Sequence, residues 1–218
     1  MGIVPFPQSQ EEAFPAFFDA VPVVRMRDPL AAFLGTGHGG VITYRYADAV
    51  RLAGHSCPTV AGAWLMLVEG LGWLYDRQVP ERGAIAVHMR GGRAEGATGV
   101  IAAVATLLTG AAPETGFYGI GPGGRFGRRG LLIFDAPIAG TIGLRRRDTG
   151  AGVIVDIDTG AVPHDPRMDA LMPKAVSGRA DAGELERFGT LWQDRVRRML
   201  IEHADDPKLI HVYDWPEP

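Results

Sequence analysis

The chain reads as an α+β protein in which a mainly antiparallel sheet packs against one long core helix and flanking helices. Three observations predict this. A long apolar segment, Pro58 to Tyr75, has helical spacing; short apolar runs in the second half are separated by Gly and Asp turns; and a capped amphipathic segment follows Asp181.

Taken in order, Ser9 and Glu12 have the spacing of a capping box, opening a helix through Phe14, Phe17 and Phe18 with Pro15 near its first turn. Gly35 to Gly40 is a glycine-rich loop carrying His38, and Val41 to Tyr46 has the β-branched and aromatic content of a strand. A short helix from Ala47 to Ala53 stops at Gly54. Val60, Trp64, Leu67, Leu71 and Leu74 then alternate at three- and four-residue steps, which predicts a core helix with one buried face. Gly62, Gly70 and Gly72 each lower its propensity by about 1 kcal/mol relative to Ala, which points to close packing there. Ala84 to His88 reads as a strand and Gly96 to Leu108 as a second buried helix ended by Gly110. Four runs (117–120, 131–134, 141–144 and 153–157) predict an antiparallel meander. Asp181 with Glu184 caps a last helix presenting Leu185, Phe188, Trp192, Val196 and Met199, with Arg195, Arg197 and Arg198 near its C-terminus.

Composition narrows the function. A net charge of −3 offers phosphate backbones and anionic lipid no broad attraction, so nucleic acid and membrane are not expected partners. No apolar run has the roughly 18 residues a membrane span needs, and Met1 to Gln10 has no signal-peptide pattern, so a cytoplasmic location is expected. The single cysteine, Cys57, rules out an internal disulfide or a zinc site of several thiolates from one chain.

The chemistry concentrates at Gly54-His-Ser-Cys-Pro-Thr59. Pro58 suits a first helical position, making Cys57 the N-cap, where the positive end of the dipole favours thiolate, the metal-ligating and nucleophilic form. Pro58 also biases Cys57 to extended geometry, in which side chains at i and i+2 point the same way, so His55 and Cys57 can converge on one ion. Zinc open for chemistry commonly takes three protein ligands plus water, and the motif supplies two. His88 at a strand end, Glu95 before the second buried helix, His38 and Asp48 are candidates for the others.

Ala53-Gly-His-Ser-Cys-Pro-Thr-Val-Ala-Gly62 resembles the signature of the formylmethanofuran dehydrogenase FmdE family. Leu107-Leu-Thr-Gly-Ala111 and Gly143-Leu-Arg-Arg-Arg-Asp-Thr-Gly150 are similar to that family's Thr-Gly helix end and Arg-Arg-Asp-Thr-Gly hairpin, over about residues 44 to 157. The resemblance implies that His55 and Cys57 are metal ligands, with zinc or another divalent transition metal as cofactor, and, together with the apolar faces of the terminal helices, a homodimer. Ala53, Thr59 and Ala111 stand where many members have histidine, glycine and cysteine. The resemblance names no reaction. A metal-binding protein is expected, with a small-molecule ligand or substrate; the alternatives are a metal-dependent hydrolase or lyase with Glu95 or Asp48 as base, and a metal-free thiol enzyme using Cys57. The expected organisation is a helical N-terminal appendage (1–40), a metal-binding domain (41–175), and a C-terminal helix and tail packed on it (176–218).

Other motifs are read as structural. Gly119-Ile-Gly-Pro-Gly-Gly124 matches a dinucleotide-loop pattern, but a strand is expected after it and Pro122 lacks an amide; with Arg125, Arg128 and Arg129 it reads as a solvated basic hairpin, with small-anion binding the lesser reading. Asp148-Thr-Gly150 and Asp158-Thr-Gly160 flank one strand and read as turns. His164, His203 and His211 fall in a loop, a helix end and a terminal strand.

Overall fold

The computed structural model of the chain describes residues 13–216. Ser9 and Glu12 lie outside them; from Pro15 onward the expected first helix is a short 3-10 segment, Ala16–Ala20, that buries Phe18 edge-on against Tyr46.

The fold is α+β. A two-stranded antiparallel sheet pairs β1 (Val24–Arg27) with β2 (Val41–Tyr44), and α1 (Pro29–Phe33) lies between them in the chain. The stretch before residue 41, expected to be helical, thus contributes a strand whose alternate residues Val24 and Met26 are buried. Then come α2 (Tyr46–Ala53), α3 (Pro58–Tyr75), β3 (Ile85–Met89), α4 (Thr98–Thr109), β4 (Leu132–Ile133), β5 (Ile142–Arg146), β6 (Gly152–Ile157), α5 (Met168–Val176), α6 (Ala182–Arg197) and β7 (Ile210–Asp214). The main sheet runs β4-β3-β5-β6-β7. Its β3-β5, β5-β6 and β6-β7 pairs are antiparallel, with Val87 opposite Leu144 and Leu144 opposite Val153.

The core forms where α3 lies on this sheet. Gly62 meets Ile157, and a Cβ on Gly70 would stand 2.8 Å from Leu144 Cδ1 and 3.0 Å from Val155 Cγ2, so both glycines let helix and sheet approach closely. Gly72 faces open space. The expected single buried face is instead a wider burial: Val60 through Leu67 are all buried, because α2, α4 and α6 also pack on α3.

Three other expectations are corrected. Residues 117–120 are not a strand but an irregular loop closed by an Ile120–Arg125 bridge; a Cβ on Gly119 would clash with the Gly124 carbonyl, so the chain bends there. The run at 131–134 does form β4, but it pairs parallel to β3, making the sheet mixed. Residues 45–46 leave the strand, since Tyr46 already begins α2. The predicted punctuation at Pro58, Gly54, Gly110 and the Asp181–Glu184 capping box stands in the structure, with Gly54 and Gly110 in the left-handed conformation. Leu185 on α6 is exposed, whereas Val196 and Met199 are buried. Among the described residues, no helix is long and apolar enough to cross a membrane.

Candidate metal centre

The turn between α2 and α3 is built from local rules. Gly54 ends α2 at φ 76, and Cys57, extended at φ −149 and ψ 168, caps α3 ahead of Pro58. Cys57 Sγ accepts the Val60 N–H at 3.5 Å and is buried, 8% exposed. The intervening Ser56 is held from two sides. Its hydroxyl is 3.0 Å from the Tyr46 hydroxyl, and its carbonyl accepts Trp192 Nε1 at 3.2 Å and Gln193 Nε2 at 3.0 Å from α6. Burial, with a contribution from Cys57, keeps the Tyr46 phenol far above its usual range despite the Ser56 hydrogen bond, so it stays protonated. Gln193 Oε1 is buried without a partner.

His55 is exposed and its Nδ1 lies 2.9 Å from the Ala53 carbonyl. A carbonyl only accepts, so Nδ1 donates, and in the neutral form of the ring Nε2 is the nitrogen with the lone pair, the arrangement usual for a ligating histidine. The ring borders a groove of about 190 Å³ between α2 and α4, with Leu52, Val100, Ala103 and Val104 on its walls.

The other candidate ligands are engaged elsewhere. His88 pairs opposite Gly143 in the sheet, its ring 4.9 Å from that of Trp215; burial first and Arg145 second push its imidazole below the usual range, so it is neutral at pH 7. Glu95 Oε2 accepts the Gly92 N–H at 2.9 Å, closing the loop ahead of α4. Asp48 completes a capping interaction with the Arg45 N–H at 2.8 Å and pairs with Arg51. His38 sits in a 3-10 turn at the surface. Among the described residues, no group of three or more His, Cys, Asp or Glu is placed to hold an ion. His55 and Cys57 are therefore donors of types that bind transition metals, one exposed and one buried, and this arrangement of the chain adds no third ligand of those types.

Sequence reasoning missed the α6 clamp on Ser56, which no local pattern announces. It also missed a charged cluster across the molecule: Asp28, 4% exposed, receives Arg128 Nη2 at 2.7 Å and Arg82 Nη1 at 3.0 Å while capping α1 through the Leu30 and Ala31 amides. The Asp28-Pro29 pair was a readable cap signal. Arg128 is buried, contrary to the reading of a solvated hairpin.

Fold and turn together define an α+β protein with a histidine–cysteine turn at the head of its central helix. No family model matches the chain, and no curated protein matches it. Among solved structures it is similar to the crystal structure of a tungsten formylmethanofuran dehydrogenase FmdE-like protein from Syntrophus aciditrophicus, with TM-score 0.42 and 16% identity over 80% of this chain and 74% of that one.

Proposed function

We propose that this chain is a metal-binding protein that holds zinc or another divalent transition ion through His55 Nε2 and Cys57 Sγ. The observation that carries the reading is the hydrogen bond from His55 Nδ1 to the Ala53 carbonyl, which presents Nε2 as a free donor two residues from a helix-capping sulfur. The clamp on Ser56 from Trp192 and Gln193 supports it, because a turn anchored on both sides keeps its two donors in place.

A structural zinc site takes four protein ligands. Two donors of one chain fit an open, exchangeable site, its other positions taken by water, by a bound small molecule or by a second copy in a homodimer. Glu95 and Asp48 hold local backbone, so neither is assigned as a base.

The test is elemental analysis together with molar mass in solution, for untagged native protein reconstituted with zinc and for His55→Ala and Cys57→Ser. One ion per chain, lost in both variants, supports an open site in each chain; one ion per two chains, with a dimeric mass, supports a shared one. Native protein without metal after reconstitution, or metal retained in both variants, overturns the proposal.

A further inference from the structure

A cavity of about 700 Å³ opens between residues 81–84, the loop 118–131 and the turn joining β5 to β6. Its volume lies in the range of about 300–1,000 Å³ typical of small-molecule sites. Five arginines line it, Arg82, Arg125, Arg128, Arg129 and Arg147, against two carboxylates, Glu81 and Asp148. Those carboxylates are already paired with cations outside the lining, Glu81 with Arg27 and Asp148 with Arg146. The positive charge of the wall is therefore not offset from within it.

Arg128 is the central observation. It is 7% exposed, it shares the single carboxylate of Asp28 with Arg82, and its Nε and Nη1 are buried without hydrogen-bond partners. Buried donors of a charged group are rarely left unpaired. The guanidinium lies in a slot between Gly83 and Gly110, where a Cβ on Gly83 would come within 2.8 Å of Nε and one on Gly110 would overlap Nη1. Backbone thus sets its position ahead of any ligand.

The neighbouring arginines are exposed and held over aromatic rings. Arg129 lies 4.1 Å over the Tyr118 ring and Arg125 4.4 Å over the Phe126 ring. Among the described residues neither makes an ion pair, and a guanidinium held over a ring still has N–H groups to offer an oxyanion. Phe126 is held at φ 67, a strained conformation for a non-glycine residue and one that recurs at ligand sites.

We propose that this cavity binds a small organic anion, with a phosphate or carboxylate head received by Arg129 and Arg147 over the buried charge of Arg128. No residue of the 53–57 turn lines it, so the site is independent of the metal reading. The test is calorimetric titration of the full chain, at fixed ionic strength, with inorganic pyrophosphate and with citrate. Arg129→Ala and Arg147→Ala reach the cavity from its rim, and Arg187→Ala on α6 serves as the charge control. Saturable binding of one probe per chain, weakened about tenfold or more by each rim variant and unchanged in the control, supports the site. Pyrophosphate alone would mark the head as phosphate and citrate alone as carboxylate. The proposal is overturned if neither probe saturates, if the rim variants bind as the native protein does with unaltered melting curves, or if the control weakens binding equally.

Discussion

Replacing Asp28 by asparagine removes one buried negative charge while keeping size and an acceptor for the α1 cap. In the native protein Asp28 Oδ1 faces Arg128 and the Leu30 and Ala31 amides, and Oδ2 faces Arg82. Removing one partner of a buried ion pair typically costs about 3–5 kcal/mol. Arg82 is partly shielded from that loss, because its Nε and Nη2 remain bonded to the carbonyls of Thr106, Leu107 and Leu108 at the end of α4. Arg128 has no such alternative and carries the loss alone; with Arg82 shielded, the lower end, about 3 kcal/mol, is expected for Asp28→Asn, and about 1 kcal/mol more for Asp28→Ala, which also loses the cap. At about 2–4 °C per kcal/mol for a chain of this size, the asparagine variant melts about 6–12 °C lower. Urea unfolding at neutral pH measures the free energy, and Asp28→Asn combined with Arg128→Met should be less destabilised than the sum of the two single changes. Burial alone would raise the Asp28 carboxyl, but the Arg82 hydrogen bond, the Arg128 charge and the two amides outweigh it and hold the carboxyl below its ordinary range. Its contribution is therefore full above the ordinary carboxylate value of about 3.9 and is lost as pH falls through the lower folded value, so the variant shows a flatter acid limb than the native protein. A loss under about 1 kcal/mol in Asp28→Asn, or strict additivity in the double variant, would refute the coupling.

Two further outcomes follow from packing. Gly72→Ala, on the open side of α3, should stabilise by about 0.8–1 kcal/mol through helix propensity. Gly70→Ala should destabilise by about 1–2 kcal/mol because its methyl group must displace Leu144 and Val155; equal effects in thermal unfolding would sink the close-approach argument. Trp192→Phe removes a donor to the Ser56 carbonyl and should lose about 1 kcal/mol in urea unfolding. Gln193→Leu should lose less, since it also removes the buried unpaired Oε1; a larger loss than Trp192→Phe would show that this oxygen has a partner.

What was legible in the sequence follows the range of the interactions involved. Cys57 and Pro58 mark the start of α3, and Asp181 with Glu184 mark that of α6, because capping involves residues three or four apart. The alternation of Val24 and Met26 in β1 is equally local, yet the same stretch reads as part of a helical appendage. In contrast, the direction of β4 was not readable from Leu131 to Phe134, since a strand pattern records burial and not the identity of the partner. Phe117, Tyr118 and Ile120 looked like strand residues, yet all three are exposed, and the bend at Gly119 that exposes them depends on its approach to Gly124.

The two candidate sites divide along the same line. The turn at residues 54–58 follows from one glycine and one proline, so its backbone was legible; whether a third ligand joins His55 and Cys57 depends on contacts between distant elements, and His88 lies against Trp215 while Glu95 is bonded within its own loop. Arg128 is the converse case. In Arg125-Phe-Gly-Arg-Arg129 nothing distinguishes it from its neighbours, and a basic cluster around glycine is ordinarily solvated. It is buried because Asp28 lies 100 residues earlier in the chain, Arg82 shares that carboxylate from 54 residues away, and Gly83 and Gly110 lack the side chains that would fill its slot. A cap, a strand and a two-donor turn are local devices, whereas a buried charge must find its counter-charge wherever the fold brings one. The buried charge of Arg128 beneath the cavity is thus a property of the folded chain that its own segment does not record.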